Sequence, residues 1–209
     1  MTRAVTFDLD GTLVEYDEPW PSFIERAFPA GTPQRAIETF GSTLQDGIAT
    51  GCSEPLLTAA EAVVSEYDLA VRPGALAEAV RDAEVNATVP RPGALDLVEQ
   101  LGAARPTALI TNGQATLQRR KAAAVGLDNC VDAIIVSSTV GVAKPEAAIF
   151  EAAAEQLDAS AFVHVGDDRD SDIRGARQAG WEAVGIDRPG DGPAPVARVT
   201  DLTRLAALI

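Results

Sequence analysis

The chain is 209 residues long, 46% hydrophobic and 23% charged, a composition that supports a substantial buried core and excludes a disordered or fibrous protein. Its formal net charge of −14 excludes a general affinity for nucleic acid or an anionic membrane, because the summed field repels both; an anionic substrate must meet a local positive site. No apolar run is long enough to span a bilayer, and strand-like residues begin at once, which leaves no room for a secretory leader and makes a reducing cytoplasm the expected location.

In chain order, the first apolar run, residues 3–8, has the length of a buried strand and is too short for a helix. Residues 15–88 contain no convincing strand. They read as helices over 21–28, 33–49, 54–67 and 74–85, with Thr32 and Ser53 as expected caps ahead of Pro or Glu. A crossover between parallel strands needs only about a dozen residues. Residues 15–87 are therefore expected to be an inserted helical domain, joined near 15–19 and 90–93, on a core made of residues 1–14 and 88–209. Further buried strands are expected over 107–111, 133–137, 161–166 and 182–186, alternating with helices over 114–125, 145–156 and 171–179. That alternation predicts an α/β fold, a Rossmann-like three-layer core around a parallel sheet. A surface loop over 188–195 and an amphipathic stretch over 201–209 follow.

In open parallel sheets, the loops at the carboxyl ends of the strands build the site. Here those ends carry Asp8-Leu9-Asp10-Gly11-Thr12, Thr111-Asn112-Gly113 and Gly166-Asp167-Asp168, with Asp170 and Asp172 shortly after; Lys144-Pro145 opens a helix after the third strand. Carboxylates at i and i+2 leaving a strand converge once the chain turns at Gly11, and Asp167 adds a third. A set of hard oxygens without His or Cys suits Mg²⁺. So many carboxylates together need a cation nearby, and Lys144 supplies a fixed one. Each piece has a plainer reading alone. Asp-Gly and Asn-Gly form turns, Pro is ordinary at the first position of a helix, and acidic residues gather at helix N-termini. Their joint placement at one edge of one sheet favours chemistry.

On these motifs the sequence resembles the haloacid dehalogenase superfamily, in its subclass with a helical cap between the first and second motifs. Residues 8–12 match DxDGT, Thr111 the Ser/Thr motif, Lys144 the motif lysine, and Gly166-Asp167 with Asp172 the GDxxxxD motif. The likeness covers the core, residues 1–14 and 88–187, and in the insert extends only to position and helical character. It implies a Mg²⁺-dependent phosphatase acting on a small phosphorylated metabolite. Asp8 is implied to attack phosphorus and form an aspartyl-phosphate, and Asp10 to protonate the leaving oxygen and then deprotonate water. Thr111, Asn112, Gly113 and Lys144 are implied to hold the phosphoryl group, and Asp8, Asp167 and the backbone carbonyl of Asp10 to hold the metal. Asp168 and Asp172 are implied to stand behind those ligands; Asp168 departs from the serine usual in many relatives.

The same resemblance admits a 2-haloacid dehalogenase, whose leaving halide needs no proton from position 10. It also admits a phosphotransferase or mutase, which needs cap groups for a second phosphate; Arg26, Arg35, Arg72 and Arg81 are the candidates. From other classes come a response-regulator-like phosphoacceptor and a non-catalytic interaction protein on this fold. His164, the single histidine, is expected to pack within its strand, and Tyr16 and Trp20 to pack at the hinge or meet substrate. Cys52 and Cys130 have no CxxC spacing and are expected to be small buried residues. Of 17 basic residues only Lys121 and Lys144 are lysine, a bias that fits either a high-salt cytoplasm or a GC-rich genome.

Overall fold

A computed structural model describes residues 2–186 together with residues 198, 199, 202 and 205. The loop expected over 188–195 lies outside the described residues, as does most of the stretch over 201–209. Six strands form one parallel sheet in the order β5 (Ala133–Val136), β4 (Thr107–Thr111), β1 (Arg3–Phe7), β6 (Ala161–Gly166), β7 (Glu182–Ile186) and β8 (Arg198–Val199). Side chains alternate across it. Val5 and Phe7 of β1 pack on one face with Leu97, Val98 and Leu101 of α5 (Ala94–Gly102), while Ala4 packs on the other with Ile149 and Phe150 of the helix Ala147–Ala154. Both faces are apolar because both are covered by helices, which is why the strands read as continuous apolar runs rather than alternating ones.

The first half of the sheet grows from β1 to β4 and β5, and the second half returns to the other side of β1 with β6 and β7. A crevice forms at the carboxyl ends of the strands where that reversal occurs, between β1 and β6. Phe7 pairs with Val165, and the Asp8 N–H donates to the Val165 carbonyl at 2.8 Å, so Asp8 and Asp167 leave the sheet as neighbours.

Between β1 and the rest of the sheet lie α1 (Trp20–Glu25), α2 (Gln34–Ala49), α3 (Pro55–Tyr67) and α4 (Pro73–Ala87). They enclose their own apolar cluster, with Phe23, Phe40, Leu44, Leu56, Val63 and Leu76 at its centre, and it takes in Leu117 of α6 (Ala115–Ala124). After α2 the chain turns at Gly51, φ +70°, and approaches the sheet domain so closely that a Cβ there would meet the Gly141 carbonyl group at 2.8 Å. Among the described residues no helix is long and apolar enough to cross a membrane.

Three expectations are corrected. The stretch read as strandless begins in β2 (Val14–Tyr16), which pairs antiparallel with β3 (Thr88–Pro90); three residues are too few to show a period. Thr32 and Ser53 do not cap helices. Pro33 and Glu54 occupy the cap positions without a side-chain bond, and the Thr32 hydroxyl donates to the Pro29 carbonyl instead. Cys52 and Cys130 are half-buried rather than buried, and both are free thiols.

Candidate active site

Asp8 is nearly enclosed, 7% exposed. Lys144 Nζ donates to Asp8 Oδ1 at 2.7 Å and to Asp172 Oδ1 at 2.6 Å. The Thr12 hydroxyl, carried back by the turn at Gly11, lies 3.3 Å from Asp8 Oδ2 and 3.0 Å from Asp167 Oδ1, so its single proton is shared between the two carboxylates. Asp172 also accepts from the Asp168 N–H at 2.9 Å and faces His164 Nε2 at 3.3 Å. A carboxylate only accepts, so His164 carries its proton on Nε2, and Nδ1 accepts from the Thr6 hydroxyl at 2.9 Å. His164 is thus packed within its strand, with its ring edge-on to Phe150.

Gly166 makes this arrangement possible. A Cβ at that position would sit 2.2 Å from Asp172 Cγ, so the glycine ahead of Asp167 is the space the Asp172 carboxylate fills. Asp168 turns away: its carboxylate accepts from the Asp170 and Ser171 N–H groups and caps the π-helical turn Arg169–Arg174. Asn112 holds Lys144 by its backbone, donating to the Lys144 carbonyl at 3.0 Å and accepting from the Lys144 N–H at 2.8 Å. The Gly113 N–H donates to Ser137 Oγ at 2.9 Å. Among the residues expected to hold a phosphoryl group, then, the Asn112 side chain and the Gly113 N–H are engaged in fixing the loops.

Burial pushes the Asp8 carboxyl well above the usual carboxylate range; Lys144 opposes this, and the neighbouring Asp172 and Asp167 charges add to it. Burial acts on Asp172 in the same direction, but Lys144 and the His164 bond outweigh it and hold that carboxyl low. Burial works against the Lys144 charge, and Asp172 and Asp8 more than offset it, so the ammonium stays protonated. Burial also lowers His164, which is neutral at neutral pH. Oxygens of Asp8, Asp167 and Asp172 all lie within 4.8 Å of one another. Clustered hard oxygens with no nitrogen or sulfur are the donor chemistry that suits Mg²⁺.

Asp10 is held separately. Gln118 Nε2 donates to its Oδ2 at 2.7 Å and Lys121 Nζ to its Oδ1 at 3.0 Å. Gln118 Nε2 also reaches Thr111 Oγ1 at 2.6 Å, which ties Thr111 to the same group. Lys121 is 2% exposed, and its ammonium additionally meets the Tyr16 hydroxyl at 2.6 Å and Glu84 at 2.9 Å. Glu84 in turn accepts from Tyr16 and from the Trp20 indole. Burial alone would pull the Lys121 ammonium toward neutrality; Asp10 and Glu84 reverse that and raise its pKa. Tyr16, Trp20 and Asp10 line a cavity of about 480 Å³ between the helical insert and the sheet edge.

Gln118, Lys121 and Glu84 were absent from the sequence-based site, yet each leaves a trace. Gln114, Gln118 and Lys121 recur at i, i+4 and i+7 and are all buried, so polar side chains occupy the spacing of a packed stripe. Glu84 continues the apolar stripe of Leu76 and Val80 on α4. The four insert arginines do not line the cavity. Arg26 pairs with Glu18, Arg81 with Glu78 and with the Gln114 amide oxygen, and Arg35 and Arg72 are exposed.

A family model for haloacid dehalogenase-like hydrolases matches residues 2–180. Pyrimidine 5'-nucleotidase YjjG of Escherichia coli is 36% identical over 148 residues, which is 68% of this chain; the match spans 66% of that relative's length. Glyceraldehyde 3-phosphate phosphatase of Methanopyrus kandleri is 31% identical over 210 residues, covering 90% of this chain and 85% of its own. Among solved structures, the HAD-hydrolase YfnB of Bacillus subtilis, bound to magnesium, superposes with a TM-score of 0.75 at 23% identity and covers 99% of this chain and 98% of its own. L-2-haloacid dehalogenase of Xanthobacter autotrophicus does so with a TM-score of 0.74 at 22% identity, over 100% and 98%. These two structural likenesses are likenesses of fold.

Proposed function

The chain belongs to the haloacid dehalogenase-like hydrolase family, and on that premise we propose that it is a Mg²⁺-dependent phosphatase, acting on small phosphate monoesters through an aspartyl-phosphate on Asp8. The observation that carries this reading is the separation of the two aspartates. Asp8 is enclosed with Lys144 beside Asp167, whereas Asp10, two residues on, faces the cavity and is held by Gln118 and Lys121. One group is placed to attack and the other to handle a proton.

Asp8 attacks phosphorus as the bond from phosphorus to the alcohol oxygen breaks, and Asp10 delivers its proton to that oxygen. A water molecule then attacks phosphorus and yields a proton to Asp10 as the Asp8–phosphorus bond breaks, releasing inorganic phosphate. Lys144 balances the Asp8 carboxylate and then the phosphoryl oxygens, and Thr111 donates to one of them. Asn112 and Asp172 position Lys144; Asp168 fixes the turn that brings Asp172 inward. Asp8, Asp167 and the Asp10 carbonyl would hold Mg²⁺, while Asp172 is occupied by the Lys144 ammonium and the Asp168 N–H. When bound there, the ion supplies charge neutralisation at the phosphoryl oxygens. Residues 15–87 serve as the cap over the cavity.

A halide departs without a proton, so a positioned Asp10 has work to do only when the leaving group is an alkoxide. That favours ester hydrolysis over dehalogenation. The test is hydrolysis of p-nitrophenyl phosphate with Mg²⁺, with EDTA, and by Asp8→Asn. Both EDTA and the substitution are expected to abolish turnover; activity that survives either one overturns the mechanism.

A further inference from the structure

The charged groups among the described residues lining the cavity are Asp10, Glu84 and Lys121. Lys121 has three donor hydrogens, and Asp10, Glu84 and the Tyr16 hydroxyl take them. The cavity therefore carries two acidic side chains beside one ammonium, and that ammonium has no donor left for a ligand. None of the insert's arginines lines the cavity: Arg26 is on Glu18, Arg35 and Arg72 face solvent, and Arg81 is taken up by Glu78 and by the amide oxygen of Gln114. Toward the insert the wall is apolar, built by Trp20, Leu44, Ile48, Pro55 and Leu56 with Leu117 opposite. Two of these, Leu44 and Leu56, belong to the insert's own core, so the wall is a fixed part of the packing.

We infer that this cavity selects monophosphate esters of uncharged, partly apolar alcohols, of aryl or nucleoside type, and rejects esters whose alcohol bears a second anion. The inference rests on the phosphatase reading and narrows its substrate. A carboxylate or second phosphate entering beside Glu84 and Asp10 loses its water without gaining a cationic partner, and it is repelled by Glu84 where the dielectric is low. A planar or aliphatic group instead exchanges water for the Trp20 and leucine surfaces. The same charge balance removes the second-phosphate site that a mutase needs.

The test compares phenyl phosphate with p-carboxyphenyl phosphate. The carboxyl group makes the phenol the better leaving group, so leaving-group chemistry alone favours the charged ester. Selection by the cavity predicts the reverse, with kcat/KM at least tenfold higher for phenyl phosphate. Equal turnover, or a preference for the carboxylate, overturns the inference while leaving the phosphatase reading intact; no turnover of either ester overturns both. Gln45, exposed on α2 and part of the lining, permits a second arm. Gln45→Arg adds a cation to the wall and is expected to raise the charged ester at least tenfold relative to the neutral one. A ratio that stays put in a folded Gln45→Arg protein shows that charge is not what the cavity reads. Thymidine 5'-monophosphate against thymidine 3',5'-bisphosphate repeats the comparison on the wild-type protein, and an equal rate for the two counts against the inference in the same way.

Discussion

Both lysines of the chain are buried, each against one aspartate of the first motif, but they are held by different parts of the molecule. Lys144 contacts Asp8 and Asp172, and its backbone is clamped by Asn112, so every partner comes from loops at the edge of one sheet. Lys121 contacts Asp10 from that edge, Tyr16 from β2, and Glu84 from α4 of the insert. The pocket around Asp8 is complete within the sheet domain. The pocket around Asp10 closes only where the insert meets it, so the orientation of Asp10 and the seating of the insert are joined through one ammonium.

Four changes break or sharpen that contrast. Lys144→Met leaves Asp8 and Asp172 facing each other without a cation, and turnover is expected to fall about 10³-fold for every ester, as when a main charge-stabilising donor is removed. A loss that depended on the ester would show that Lys144 acts on the leaving group rather than on Asp8. Lys121→Met removes the cation that Asp10 shares with Glu84 and Tyr16 and leaves the contacts of Asp8 in place. Phenyl phosphate, whose leaving oxygen needs the proton, should lose about 10²-fold in kcat, and p-nitrophenyl phosphate distinctly less. Equal losses for the two esters would erase the distinction between the pockets.

Gly166→Ala places a carbon 2.2 Å from Asp172 Cγ, and the crowding is expected to cost about 2 kcal/mol in urea unfolding. A cost near zero would mean that Asp172 leaves its place freely. The smallest effect concerns His164. Its lowered pKa means that below about pH 6.5 the unfolded chain takes a proton that the folded chain refuses, so its contribution is retained above that pH and lost as pH falls, by at most about 1.4 kcal/mol per pH unit. Asp8 acts with the opposite sign, because its raised pKa makes the folded state the one that gains a proton on acidification. The difference between wild type and His164→Gln isolates the histidine. Parallel stability curves for the two would show that His164 does not remain neutral.

The strands and motif loops were legible because each depends on neighbours in sequence. Apolar runs of strand length, bounded by Asp-Gly and Asn-Gly turns, place Asp8, Thr111 and Asp167 at strand ends whatever the rest of the chain does. The helices of the insert follow in the same way from their period, within a few residues at each end. Strands of three residues carry no period, so β2 and β3 emerged only once they paired with each other.

The second pocket was decided by tertiary structure. Asp10 and Lys121 lie 111 residues apart, and Glu84 comes from a separate cluster, so no local pattern links them. What was local was the anomaly on each helix, a polar side chain at apolar spacing. The buried charges there are tolerable only because each finds an opposite partner across the interface. By itself the sequence determined where the strands end and which oxygens gather there. The folded structure decided that one aspartate is enclosed by the sheet domain and the other is held jointly with the insert, because complementary charges from distant segments meet only when both cores have packed.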